Sequence, residues 1–444
     1  MSSLLSKRRP PAMLAADKKN VWRRRIMNSG RIRRRTAVAG ALAAGLPLPA
    51  LAQGTGPIKI GMSMPLTGGL AAGGKSSLIG IEVWRDDVNE KGGLLGRKVE
   101  LLVFDDKSSA AETPAIYSKL LDVDKVDLIF APYATVPTAP IMPMVKQRDL
   151  LLMGNFSFQV NRTVKHDKWF NNAPWGPADS WARAFIDLGM KAGADSIALI
   201  GADQEFAQSL IRIAKGLAEE RKLKIVYEQN YPPATVEFSA MVRALRAARP
   251  GMVFCCSYPP DSVGLLRAVN EIGVGESVKV FGGGMVGLQF SAVAESMGSL
   301  LNGIVNYNSY LPEKSMEFPG SKEFFVKYQK RAVEAKVDPL GYYLAPFGYA
   351  MGQMVEQAVA ATKSIDHKKL ADFLRTAEMP TIVGPIAFAP DGERKESATL
   401  IAQYRGVVDK NIEQFRNPGK QVILSPEKWK TGELVQPFEK ARKG

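Results

Sequence analysis

Short apolar runs alternate with longer segments of helical period along nearly the whole chain, and this rhythm confines it to folds built on parallel sheets. Residues 58–64 read as a strand, 76–91 as a helix, 99–104 as a strand, 113–123 as a helix and 128–131 as a strand. The pattern continues through a helix over 141–148, a strand over 150–153, a helix over 177–192 and a strand over 197–200. A second set follows: helix 208–222, strand 224–231, helix 239–248, strand 252–257, helix 260–272 and strand 278–281. This many strand–helix alternations exceed one ordinary domain of about 100–200 residues. The fold class expected is therefore α/β, with two doubly wound parallel-sheet lobes. Trp175-Gly176-Pro177 and residues 306–312 interrupt the alternation with Gly, Pro and Asn and read as crossings between lobes. The expected division is 53–175 with 308–383 for the first lobe and 176–307 with 384–415 for the second, leaving 416–444 as a carboxyl-terminal extension. Asp391-Gly392, between 386–388 and 398–404, reads as the turn of a late hairpin.

Ahead of this pattern lies RIRRRTAVAGALAAGLPLPALAQ, residues 31–53: a basic cluster, a mildly apolar run and small residues at Ala50 and Ala52. Such an order marks an export signal. The run from Ala37 to Leu46 is about half the roughly twenty apolar residues a membrane-spanning helix needs, so cleavage after Ala52 is expected. Arg33-Arg34-Arg35 fits either a twin-arginine or a general secretory route, and Met27 is an alternative start. Removal of residues 1–52 takes away 12 Lys or Arg and one Asp, so only about +4 of the formal +15 stays with the exported protein. No basic block with interleaved aromatics remains, which sets nucleic acid aside as a partner.

Cys255 and Cys256 are adjacent in an apolar run, where a mutual disulfide would be strained. They read as two small buried hydrophobes. His166 and His367 are the only histidines, which leaves little material for a His-rich zinc site or a Ser-His-Asp triad.

Gly69-Leu70-Ala71-Ala72-Gly73-Gly74-Lys75-Ser76 satisfies the Walker A pattern, and residues 101–106 resemble a Walker B strand end. Three features oppose a P-loop ATPase: an exported protein meets no ATP, Pro65-Leu66-Thr67 separates the strand from the glycines, and the two motifs are close together. The competing reading is a glycine-rich turn at the carboxyl end of the first strand, lining a ligand crevice. The Asp105-Asp106 pair has no nucleophile or metal cluster beside it and reads as structural.

Ile58-Lys59-Ile60-Gly61, Pro65-Leu66-Thr67-Gly68, Gly80, Asn89, Lys91-Gly92-Gly93, Gly96-Arg97-Lys98 and Asp105-Asp106 together are similar to the opening of the leucine/isoleucine/valine-binding proteins. These are type I periplasmic binding proteins of ATP-driven importers. Phe238-Ser239, Leu245, Gly384-Pro385 and Asp391-Gly392 extend the resemblance over the whole mature chain. It implies two lobes closing on a ligand held between them, no catalysis, no cofactor, and a monomer in the periplasm. Its implied partners are a membrane permease with ATPase subunits. A ligand sensor of the same fold is an alternative role.

Carried over position by position, the resemblance places the carboxylate grip at Tyr133-Ala134-Thr135, with Thr135 as the hydroxyl. Phe156-Ser157-Phe158 brings two aromatics around Ser157, Phe206 stands in place of a tyrosine, and Tyr258 matches one. Trp175 joins this aromatic set. Gly284 falls where amino-acid-binding members place a glutamate against the ligand ammonium, and Gly73 falls where a bulkier side chain closes the pocket. The expected ligand is thus a small carboxylate with an aromatic or branched aliphatic body. A branched-chain amino acid is the alternative, provided that Asp179, Asp203, Glu205 or Asp261 turns inward to meet its ammonium.

Overall fold

The computed structural model describes residues 56–233 and 235–443. The export signal expected over residues 1–52, with its alternative start at Met27, lies outside the described residues. Two sheets carry the molecule. The first joins β1 (Ile58–Met64), β2 (Val99–Asp105), β3 (Leu128–Tyr133), β4 (Leu152–Asn155) and β5 (Trp169–Asn171) in the order β2-β1-β3-β4-β5, every pair parallel. The second holds β6 (Ser196–Ala202), β7 (Lys224–Tyr231), β8 (Met252–Ser257), β9 (Val280–Met285), β10 (Val305–Asn308), β11 (Leu400–Tyr404) and β12 (Gln421–Ser425), in the order β12-β11-β10-β9-β8-β6-β7. Pairing is parallel from β7 to β10 and antiparallel at β10–β11 and β11–β12.

Strands covered by helices on both faces should be apolar throughout. Central β8, MVFCCS, is buried at every position, and Cys255 and Cys256 are free, buried thiols. Edge strand β7, KIVYEQNY, is largely open to solvent.

After β10 the chain returns to the first lobe, where the helix Ala345–Thr362 packs on the helix Ala71–Glu90. Glycine lets the two backbones touch. A Cβ on Gly80 would lie 2.0 Å from the Ala345 carbonyl oxygen, and one on Gly352 would lie 2.0 Å from the Trp84 ring.

In each sheet the first strand sits between the second and third: β1 between β2 and β3, β6 between β7 and β8. Helices leaving these strands diverge there and open a crevice beyond the carboxyl ends.

Three sequence expectations are corrected. Residues 416–444 are no extension: they supply β12, and Phe438 stacks on Phe281 with ring centroids 5.2 Å apart. Residues 398–404 do not fold back on 386–388. Around Asp391-Gly392 only Phe388 and Arg394 form an antiparallel bridge, while β11 pairs with β10 and β12. The turn itself forms at Asp391-Gly392, where the Gly392 N–H donates to the Ala389 carbonyl (2.9 Å), but its returning arm is 393–395, and 398–404 goes to the edge of β10 instead. The crossing expected at 306–312 begins as β10 itself, because Asn306 is held on both its amide atoms by the Met285 backbone.

Candidate functional site

A cavity of about 540 Å³ lies between the lobes, lined by the residues that follow the carboxyl ends of the strands. From the first lobe come Gly69 and Leu70 after β1, Ser108 after β2, Tyr133–Val136 at the end of β3 and Phe156 after β4. From the second come Gln204–Phe206 after β6, Pro233 after β7, Tyr258–Asp261 after β8 and Val286 after β9. Trp175 and Tyr343 complete the wall. The two switch points therefore face each other across one space.

The loop after β1 is clamped by the acidic pair. The Asp105 carboxylate accepts from the backbone N–H groups of Leu66 (3.0 Å), Thr67 (3.2 Å) and Lys107 (2.8 Å) and from the Thr67 hydroxyl (2.7 Å). Desolvation raises its pKa, but the hydrogen bonds from Thr67, Lys107 and Leu66 outweigh this and hold it below the usual carboxylate range. Asp106 is fully buried, accepts from the Ser63 hydroxyl (2.9 Å) and the Ser108 N–H (3.0 Å), and burial pushes its pKa up to about 6. Only Gly69 and Leu70 of the Walker-like stretch stay outside the helix, which begins at Ala71. No loop is left to cradle phosphates, and Lys75 is exposed and off the cavity wall.

On the first-lobe wall, Ala134 (φ 80) and Phe156 (φ 57) hold left-handed backbone conformations that side chains rarely adopt. Such strain persists only where surrounding structure fixes it. Here the Ala134 N–H donates to the Asn155 carbonyl (3.2 Å), tying the ends of β3 and β4 together. Thr135 then opens the short helix Thr135–Thr138, whose first N–H groups lack intrahelical acceptors. Its Oγ1 accepts from the Phe158 N–H (3.0 Å), so the hydroxyl proton is left to donate. Ser157 stands behind this wall, fully buried, donating to Thr138 Oγ1 (2.8 Å).

Aromatic rings fill the sides. Phe156 meets Trp175 and Phe347 edge-on at 4.9 Å and Tyr343 at 5.4 Å. Phe206 of the second lobe meets Phe158 of the first at 5.5 Å, so the lobes touch there. Trp175 is 3% exposed, and its indole N–H is buried without an acceptor among the described residues. The Tyr307 hydroxyl donates to that of Tyr343 (3.1 Å), and burial pushes the Tyr133 and Tyr343 phenols well above their usual pKa, so both stay neutral.

The second-lobe wall carries two acids and a helix start. Tyr258 caps the helix Pro259–Ile272; Asp261 accepts from the Tyr258 N–H (3.1 Å) and from the Tyr231 hydroxyl (2.6 Å), and burial raises its pKa. Glu205 opens the helix Glu205–Glu220, its side chain 70% exposed and accepting from the Ser209 hydroxyl (3.1 Å).

Of the expected site residues, Tyr133, Ala134, Thr135, Phe156, Trp175, Phe206 and Tyr258 line the cavity. Ser157, Phe158 and Gly284 do not. Ser157 and Phe158 support the wall from behind. Gly284 lies within β9, where a Cβ would meet the Cys255 carbonyl oxygen at 2.9 Å and Leu210 at 3.2 Å, so its side-chain direction is into the core. The wall position of that segment is Val286. Gly73 adds no room either, since a Cβ there would strike the Tyr133 ring at 2.4 Å: the tyrosine already fills that space. Of the acids weighed for an ammonium, Glu205 and Asp261 reach the wall, and Asp179 and Asp203 do not. Leu70 belongs to the glycine-rich turn expected to line the crevice, whereas Ser108, Gln204, Val286 and Tyr343 were missed. The first three of these follow closely on strand ends, a positional signal present in the sequence; Tyr343, in an irregular segment, had none. Among the described residues, no Lys, Arg or His is on the wall.

Residues 57–410 match the family described as periplasmic binding protein. The Leu/Ile/Val-binding protein homolog 7 of Brucella abortus is 28% identical over 341 residues, covering 72% of this chain and 82% of that protein. Among solved structures, the branched-chain amino acid transporter substrate-binding protein LivJ of Streptococcus pneumoniae, in complex with isoleucine, superposes with a TM-score of 0.67 at 18% identity, over 83% of this chain and 100% of that one. A solute-binding protein of an ABC transporter from R. palustris, in complex with benzoate, gives 0.65 at 16% identity, over 83% and 96%. At such identities the two structures bear on fold alone.

Proposed function

The chain belongs to the periplasmic binding protein family, and from that premise we propose that it captures a small carboxylate with an aromatic or branched aliphatic body and delivers it to the permease of an ABC importer. The observation that carries this reading is the opposition of two switch points across one cavity, with the Thr135 hydroxyl set in a first-lobe wall beside Tyr133, Phe156 and Trp175. The ligand carboxylate is held by the Thr135 hydroxyl and the first N–H groups of the Thr135–Thr138 helix. A hydrogen bond of this kind to a charged group contributes about 1.5–3 kcal/mol. The body rests on Phe156, Trp175, Phe206 and Tyr258. The ligand leaves unchanged, so the protein works by binding and hinge closure rather than catalysis. Benzoate, held by one protein of this fold, is a carboxylate of this kind, whereas isoleucine, held by another, also carries an ammonium.

An α-amino acid is the second reading, favoured by Glu205 and Asp261 on the second-lobe wall. Asp261 already accepts from Tyr231 and Tyr258, which leaves Glu205 as the partner for an ammonium. Calorimetric titration with benzoate, 3-methylbutanoate and leucine separates the two. Carboxylates without an ammonium bind at least about tenfold tighter on the first reading, a difference of 1.4 kcal/mol. Tighter binding of leucine, lost in Glu205→Gln, establishes the second. Saturable binding of none of them removes both.

A further inference from the structure

Arg394 is 4% exposed and has no counter-ion among the described residues. Its Nη2 donates to the Pro385 carbonyl (3.0 Å), while Nη1 is buried without any acceptor among the described residues. A guanidinium withdrawn from water and left unpaired is strongly unfavourable, so the fold should offer something that compensates. No described side chain around it does so. Arg394 lies on the wall of a second cavity, about 640 Å³, together with Arg162, Lys165 and Lys395. Among the described residues, none of these four cations has a carboxylate within 4.0 Å. Three acids share the wall: Glu393 accepts from Trp169 Nε1 (3.0 Å) and Asn171 Nδ2 (2.8 Å), Asp391 accepts from the Glu393 N–H (3.0 Å), and the exposed Asp167 lies 3.7 Å from His166 Nδ1.

This cavity shares no residue with the ligand cleft. It sits where two connecting segments between the sheets run side by side. The Asn171 N–H donates to the Gly392 carbonyl (2.8 Å), and that of Ala398 to the Pro174 carbonyl (2.7 Å). Gly176 is pressed so closely on Arg394 that a Cβ would lie 1.9 Å from its carbonyl oxygen.

We propose that this second cavity is a binding site for a multiply charged oxyanion of the phosphate type, which pairs with Arg394 and is gathered by Arg162, Lys165 and Lys395. Guanidinium and phosphate oxygens match in geometry and charge, and more than one negative charge suits several unpaired cations around one space.

The test is calorimetric titration of the protein with inorganic phosphate, chloride balancing the ionic strength. One saturable site is expected. Arg162→Gln with Lys395→Gln should weaken it at least about tenfold, and Arg394→Met should abolish it. Thr135→Ala in the cleft should leave it unchanged, so failure of the carboxylate reading and failure of this one are separate results. Absence of a saturable heat below about 10 mM phosphate overturns the proposal. So does an affinity unchanged in the double variant, which decides the matter even if Arg394→Met does not fold.

Discussion

Thr135 carries the most function on the fewest atoms. Replacing it with alanine should weaken every carboxylate ligand by about 1.5–3 kcal/mol, roughly ten- to a hundredfold or slightly more, as read by calorimetry. Trp175→Phe removes the unpaired N–H together with the pyrrole half of the indole, so its cost combines a hydrogen bond of about 1 kcal/mol with lost packing against Phe156. An unchanged affinity would assign that N–H no ligand. Asp106, behind Ser108 on the wall, makes a pH prediction. As an acid whose folded pKa is raised to about 6, it contributes fully to stability below its unfolded value near 3.8 and loses that contribution as pH rises through 6. Relative to wild type, Asp106→Asn should therefore gain stability between pH 4 and 8, measured by urea unfolding. Buried His166 and half-buried His367, whose pKa values desolvation lowers, act the opposite way below pH 6.5, but they are common to both proteins and cancel in the difference. At this scale the sequence was legible where a motif fixes a loop, as at Tyr133-Ala134-Thr135. It was not legible inside Gly282-Gly283-Gly284: without side chains, nothing in the string says which residue of β9 faces the cleft.

Elements were legible in proportion to how local their causes are. Residues 58–64 are a strand as expected, because an apolar run in a strand–helix rhythm is a local property. The helix expected from Ser76 begins at Ala71. Two glycines inside a helix weaken it by propensity, yet Gly74 lies where a Cβ would meet the Pro65 carbonyl oxygen at 2.2 Å, and tertiary contact decides. β11 and β12 depend on the edge of β10, far away in sequence, which no local pattern encodes. The same logic predicts the cost of Gly80→Val. Its side chain would collide with the backbone of the helix Ala345–Thr362, and such overpacking costs typically about 1–3 kcal/mol. Urea unfolding should register a loss in that range or above, whereas Lys75→Ala, exposed on the same helix, should change neither stability nor ligand affinity measurably.

At the scale of the molecule, the parallel strands of two sheets present their carboxyl ends to each other, and the aromatic contact of Phe158 with Phe206 spans the gap between them. That arrangement gives a ligand two surfaces to bridge, and bridging is what shifts a hinge. Binding to the folded state alone also stabilises it, by about 2.7 kcal/mol at a hundred times the dissociation constant, so a thermal-shift screen of aromatic and branched carboxylates should pick out the preferred ligand. The most direct test of the central claim is a paired calorimetric titration of wild type and Thr135→Ala with benzoate and leucine. A carboxylate-binding cleft predicts saturable benzoate binding, at least about tenfold tighter than leucine and weakened at least about tenfold in the variant. Tight leucine binding without a response to benzoate, or benzoate binding indifferent to Thr135, would contradict it.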